Sequence, residues 1–216
     1  VRTEGENVGL YDILQGDLTI NNNYNIVYTP ALFSIQPIIA DIMITNLNQV
    51  YGSVTEVVVT TIPEGLDYQI LFNDAPGQPH DAGTYQLTVN ITQQNYVGSE
   101  TATLLISPLE IIVTANPQTK LFGEMDPEFS YAVMPELVAN DSFSGALTRE
   151  EGEDVGEYEI LQGSLSAGDN YSMEFVSAYL TIEQAQAEVM VSVQDVYYGY
   201  PLNISVDTLP ANLEVE

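Results

Sequence analysis

Residues 80–89 read HDAGTYQLTV. From Tyr85 onward apolar and polar residues alternate, placing Tyr85, Leu87 and Val89 on one face and Gln86 and Thr88 on the other. That period of two marks a strand buried on one side. The same alternation governs EVVVTT (56–61), EIIVTAN (110–116), EFSYAV (128–133) and AYLTI (178–182). These runs are rich in Val, Ile, Thr, Tyr and Phe and are separated by Gly, Pro, Asn and Asp, as strands and their turns are.

A Gly-x-Tyr enters such a strand three times, at Tyr11, Tyr85 and Tyr158. Asp-x-Gly-x-Tyr in this setting resembles the tyrosine corner of immunoglobulin-like domains, where the phenol hydroxyl ties back to upstream backbone. An Asn-Tyr follows each one, at Asn23-Tyr24, Asn95-Tyr96 and Asn170-Tyr171. Tyr51-Gly52, Phe122-Gly123 and Tyr198-Gly199 form a third series, spaced by 71 and then 76 residues. Gly52, Gly123 and Gly199 are read as structural turn glycines.

Neighbouring units are unequal. GENVGLYDILQG (5–16) returns as GEDVGEYEILQG (152–163), and TTIPEGL (60–66) as DTLPANL (207–213), both 147 positions on. Because 147 is the sum of 71 and 76, two kinds of repeat alternate. The sequence divides into the second half of an A unit (1–37), a whole B unit (38–108), a whole A unit (109–184) and the first half of a B unit (185–216). Val1 begins in mid-phrase, as expected of a window from a longer polypeptide. Joints are short and carry Pro37 and Pro108, whose fixed φ stiffens the chain.

These features predict an all-β fold, an array of small immunoglobulin-like β-sandwiches of about 70–76 residues. A β-grasp unit is the alternative, and it requires a helix. EQAQAEVM (183–190) has helix-forming composition, yet the same joint elsewhere reads QPIIADIM and SPLEIIVT, so it is read as an extended linker. MPELVANDS (134–142) leaves room for one helical turn.

Charge and composition exclude several function classes. The chain has 31 Asp and Glu against three Lys and Arg, a formal net charge of −28. Phosphate backbones and anionic membranes are bound by cations, so neither nucleic acid nor membrane insertion is expected. The plain reading of the acidity is solubility. With no cysteine, disulfides, thiol catalysis and Cys-based zinc sites drop out. His80 is the only histidine, and no nucleophile, P-loop or dinucleotide motif surrounds it. The chain is therefore read as a non-enzyme with no cofactor.

Two sets of residues are candidates for binding. Glu124, Asp126, Glu151, Glu153 and Asp154 are the better oxygen donors for a structural calcium in the A unit, against a plain reading as solvated acidic loops. Tyr197 and Tyr200 in VYYGYP are weak candidates for a sugar platform. In a strand, Tyr198 and Tyr200 would share a face opposite Tyr197, and Tyr198 is expected in the core as the shared repeat aromatic.

The A unit resembles the MBG-type (YGX-type) repeat family, with Lys120, Phe122, Gly123, Asp126, Pro127, Gly156, Tyr158, Asn170, Tyr171, Leu180, Thr181 and Ile182 filling its pattern. Phe122 stands where Tyr is usual. The B unit, with Tyr51-Gly52, IPEGL and DAGTY, resembles a sister MBG type. The resemblance implies stalk repeats of giant secreted surface adhesins, as in Bacteroidota, some of them exported by the type IX system and linked to gliding motility. Implied partners are neighbouring repeats, surface glycans or other adhesin chains, at the extracellular cell surface. A glycan- or protein-gripping module and a spacer of a surface enzyme are the rival readings.

Overall fold

The computed structural model describes residues 1–211, which divide into two compact units. The first comprises residues 1–110 with 169–172, and the second residues 111–168 with 173 onward. No helix occurs among the described residues, so the fold is all-β and the β-grasp alternative is set aside.

In the first unit, β1 (Gly9–Asp12) pairs with β2 (Leu32–Ile35) as an antiparallel ribbon. Strands β3 (Ile38–Ile39), β4 (Asp41–Thr45), β5 (Asn48–Val50) and β6 (Val58–Ile62) follow. They are succeeded by β7 (Tyr68–Phe72), β8 (Gly83–Ile91), β9 (Tyr96–Val97) and β10 (Ser99–Ser107). One layer is a four-stranded sheet ordered β5-β10-β8-β7; β4 pairs with β6, and β3 with β9.

The strands follow from their alternation. In β8 the buried residues are Leu87 and Val89, and in β10 Leu104 and Ile106. These four join Val57 and Phe72 in one cluster, against which Ile42, Ile44 and Val59 pack from the β4-β6 pair. The core thus lies between the four-stranded sheet and that pair. Each fully buried aliphatic contributes ~1.5–3 kcal/mol of transfer free energy.

The second unit repeats the plan. Its strands are β11 (Leu109–Ala115), β12 (Gln118–Leu121), β13 (Tyr131–Met134) and β14 (Thr148–Arg149), then β15 (Gly156–Leu161), β16 (Tyr171–Val176) and β17 (Ala178–Glu183), the first two residues of β11 and of β16 being counted with the first unit. They form sheets ordered β13-β11-β16 and β12-β17-β15-β14. Strand for strand, β12-β17-β15-β14 reproduces β5-β10-β8-β7, down to the parallel edge pairs β5-β10 and β12-β17. Ile111, Val113, Ile160, Leu180 and Ile182 are the deeply buried aliphatics here.

Residues 134–142 hold a turn and no helix, and residues 184–187 after β17 are irregular. The last elements, β18 (Glu188–Val193) and β19 (Ile204–Leu209), pair as an antiparallel ribbon whose side chains are almost all exposed. Cis X–Pro bonds at Ile62–Pro63, Met134–Pro135 and Leu209–Pro210 close β6, β13 and β19.

Candidate functional site

Three tyrosines open β1, β8 and β15 and shape the loop before each strand. Tyr11 Oη donates to Asn7 O at 2.6 Å, Tyr85 Oη to Asp81 O at 3.0 Å and Tyr158 Oη to Asp154 O at 2.9 Å. Each phenol therefore reaches back four residues and fixes the loop's backbone. In the A units the ring also lies against a glycine. A Cβ on Gly152 would stand 2.1 Å from Tyr158 Cε1, and Gly152 has φ +149°. Gly5 meets Tyr11 in the same way, at 2.3 Å with φ +141°. Only glycine tolerates both the contact and the dihedral.

Beside Tyr158 lies a four-residue charge network. Arg149 stacks over the Tyr158 ring, 5.3 Å to its centroid, and donates through Nη1 to Glu150 O and Gly152 O. Its Nε bonds Asp126 Oδ2 at 2.6 Å, and its Nη2 bonds Asp126 Oδ1 and Glu153 Oε1. Lys120 approaches the same two carboxylates, at 2.7 Å from Asp126 Oδ1 and 2.7 Å from Glu153 Oε2. Its third proton goes to Glu124 O at 3.1 Å, so all three ammonium donors are used. The Lys120 side chain is only 3% exposed, and that degree of burial demands such full pairing.

The network moves the titration of its members. Hydrogen bonds from Arg149 first, then Lys120, hold the Asp126 carboxyl below the usual carboxylate range. For Glu153 the order is reversed, with Lys120 the larger cause of its depression. The same bonds raise Lys120 and Arg149, Asp126 being the leading partner of each.

The calcium candidates are thereby placed. Asp126 and Glu153 face two cations, and Glu124 Oε2 accepts the Leu121 amide at 2.9 Å, closing the turn after β12. Glu151 is exposed, and Asp154 is exposed with its carbonyl taken by Tyr158. Among the described residues, no group of three or more Asp, Glu, His or Cys is arranged to hold a metal ion. His80 is an exposed loop residue.

Tyr197 and Tyr200 are exposed, but no ring contact joins them among the described residues. Residues 194–197 are irregular, so the strand alternation considered for these tyrosines does not apply. Residues 198–200 form a turn closed by Tyr200 N to Tyr197 O at 3.0 Å. Tyr198 is not in a core but fully exposed, whereas Tyr51 packs on the first unit's core. The physical difference is the covering layer: Tyr51 sits beside four-stranded and two-stranded sheets, whereas residues 188–209 form a single ribbon. Gly52, Gly123 and Gly199 all have positive φ in the turns after the shared aromatic.

Arg149 and Arg2 are the residues that reasoning from motifs missed. They stand 147 positions apart, the spacing of the twelve-residue phrase, and each precedes its phrase by three residues. Arg2 repeats the geometry of Arg149, lying 5.1 Å over the Tyr11 ring and bonding Gly5 O and Glu6. In a chain with three cations, two of them at the repeat spacing was the available signal.

Residues 40–110 match the MBG domain family, and residues 111–181 match the MBG domain (YGX type) family. The chain thus carries two MBG domains in tandem. Neither a curated protein nor a solved structure matches it.

Proposed function

We propose that these residues are spacer repeats in the stalk of a large extracellular cell-surface adhesin. The observation that carries this reading is the tandem itself: two MBG domains adjoin in sequence, their four-stranded sheets share one strand order, and Pro108 alone stands between strands β10 and β11. A repeat with its own core and a one-residue joint suits projection over distance, with stability close to additive over repeats. The surplus of acids supports solubility in a crowded extracellular setting. The side chains that recur between repeats, Tyr85 and Tyr158 above all, bond back to their own loop backbone, and Tyr85 also packs on the core, the pattern of a mechanical module rather than a catalytic one. Surface attachment, and a part in gliding motility, are the roles such a stalk would serve.

The test is antibody labelling of intact producing cells with serum raised against residues 38–184. Labelling without permeabilisation is expected. Labelling only after permeabilisation would overturn the surface assignment.

The exposure of Tyr197 and Tyr200 favours a second reading, in which this turn grips a glycan. A glycan array probed with the chain and with Y197A/Y200A distinguishes the two readings, because only a gripping turn would lose spots in the double variant.

A further inference from the structure

The asparagines of Asn95-Tyr96 and Asn170-Tyr171 make one pattern of bonds twice within the first unit. Asn95 Oδ1 accepts the Val8 amide at 2.7 Å, and Asn95 Nδ2 donates to Asn7 Oδ1 at 2.9 Å. Asn170 Oδ1 accepts the Ala82 amide at 2.8 Å, and its Nδ2 donates to Asp81 Oδ1 at 3.0 Å. Each asparagine also spends its carbonyl oxygen alike, on Ile38 N at 2.9 Å and on Leu109 N at 3.0 Å.

The receiving dipeptides, Asn7-Val8 and Asp81-Ala82, are the ones that the corner tyrosines hold. Tyr11 and Tyr85 take the carbonyl of the first residue. That leaves its side-chain oxygen and the next amide side by side, an acceptor and a donor. A primary carboxamide offers the matching donor and acceptor on one rigid plane. Aspartate serves as well as asparagine, since only an acceptor oxygen is required.

Asp154-Val155 is the third dipeptide of this kind. Tyr158 Oη holds Asp154 O at 2.9 Å, as in the other two corners. Val155 is half exposed, and among the described residues nothing accepts its amide. We propose that Asp154 and Val155 form a docking site for the side-chain carboxamide of an Asn-Tyr asparagine carried by a further MBG repeat. The Asn-Tyr motif then serves as a plug for the preceding corner, and this inference stands on the corner geometry alone, independent of where the protein acts.

Backbone amide exchange of the full chain, read by NMR, tests it. Val8 and Ala82 should exchange at least about tenfold more slowly than Val155, relative to their intrinsic rates. Residues 185–216 align with 38–69, so extending the full chain after Glu216 with a copy of its own residues 70–108 supplies one more plug. Slowing of Val155 in the extended chain, reversed when the copied asparagine is changed to alanine, is the expected result. Unchanged exchange at Val155 beside a folded added unit would overturn the proposal. Should the added segment not fold, N95A in the unextended chain decides: selective acceleration at Val8 supports the plug, and no change at Val8 refutes it.

Discussion

Gln49 and Lys120 occupy the same place in successive repeats. Gln49 lies in β5 opposite Ile106 of β10, and Lys120 in β12 opposite Ile182 of β17, both in parallel edge pairs and both buried. Gln49 settles its amide internally, donating to Asn46 O at 2.8 Å and accepting Thr55 N at 2.9 Å. Lys120 instead needs Asp126 and Glu153. One architecture therefore carries a neutral anchor in the B unit and a charged one in the A unit.

That contrast predicts an asymmetric response to exchange. K120Q leaves Asp126 and Glu153 with Arg149 alone and lacks the loop that satisfies Gln49, so calorimetry should show the A-unit transition fall by roughly 5–10 °C. The B-unit transition should stay within about a degree, since separate sites do not couple.

The pH dependence follows from the depressed carboxyls. A carboxyl whose folded pKa lies below its unfolded value adds stability that is complete above the unfolded value, about 4, and vanishes as pH falls through the folded one. The stability gap between wild type and D126N should accordingly be constant from about pH 7 to 5 and close below about pH 4. Comparing the pair cancels the general relief of self-repulsion as 31 acids discharge. Urea melts at three pH values measure it; a gap that widened in acid would contradict the network.

Gly152 is the tightest steric point of the corner. G152A forces a methyl into the Tyr158 ring and an L-residue to φ +149°. The expected cost is ~2–4 kcal/mol, read from denaturant midpoints. Y158F, which deletes only the bond to Asp154 O, should cost ~1 kcal/mol.

Calcium should act on this chain only as a screening ion. Asp126 and Glu153 are committed to Lys120 and Arg149, and Glu124 to the Leu121 amide. Millimolar calcium and magnesium should therefore raise the melting temperature equally, an effect that sodium chloride at matched ionic strength reproduces. A calcium-specific rise of more than about 10 °C would show bound metal.

Much of the fold is written locally. Alternation at Tyr85–Val89 and Ile111–Ala115 specifies strands because a sheet buries every second residue, and the Gly-x-Tyr pattern marks where a phenol can reach back to its own loop. Pairing is not local. Nothing in Gln118–Leu121 announces that it runs parallel to Leu180–Glu183, because that register depends on residues some 60 positions away. Electrostatics was half legible. Acid composition pointed to Asp126 and Glu153 as oxygen donors, but only three-dimensional proximity reveals that Lys120 and Arg149 use those oxygens. Tyr198 shows the same limit: its place in the repeat equals that of Tyr51, while its burial depends on a second layer that 188–209 lack.

Pulling single molecules of the full chain between its ends tests the spacer account most directly. Independent repeats predict separate force peaks for the two MBG domains. Each would release the length of a 71-residue match, roughly 250 Å at ~3.5 Å per residue less the domain's folded length. A single event releasing the whole chain, or extension without resolved peaks, would contradict it.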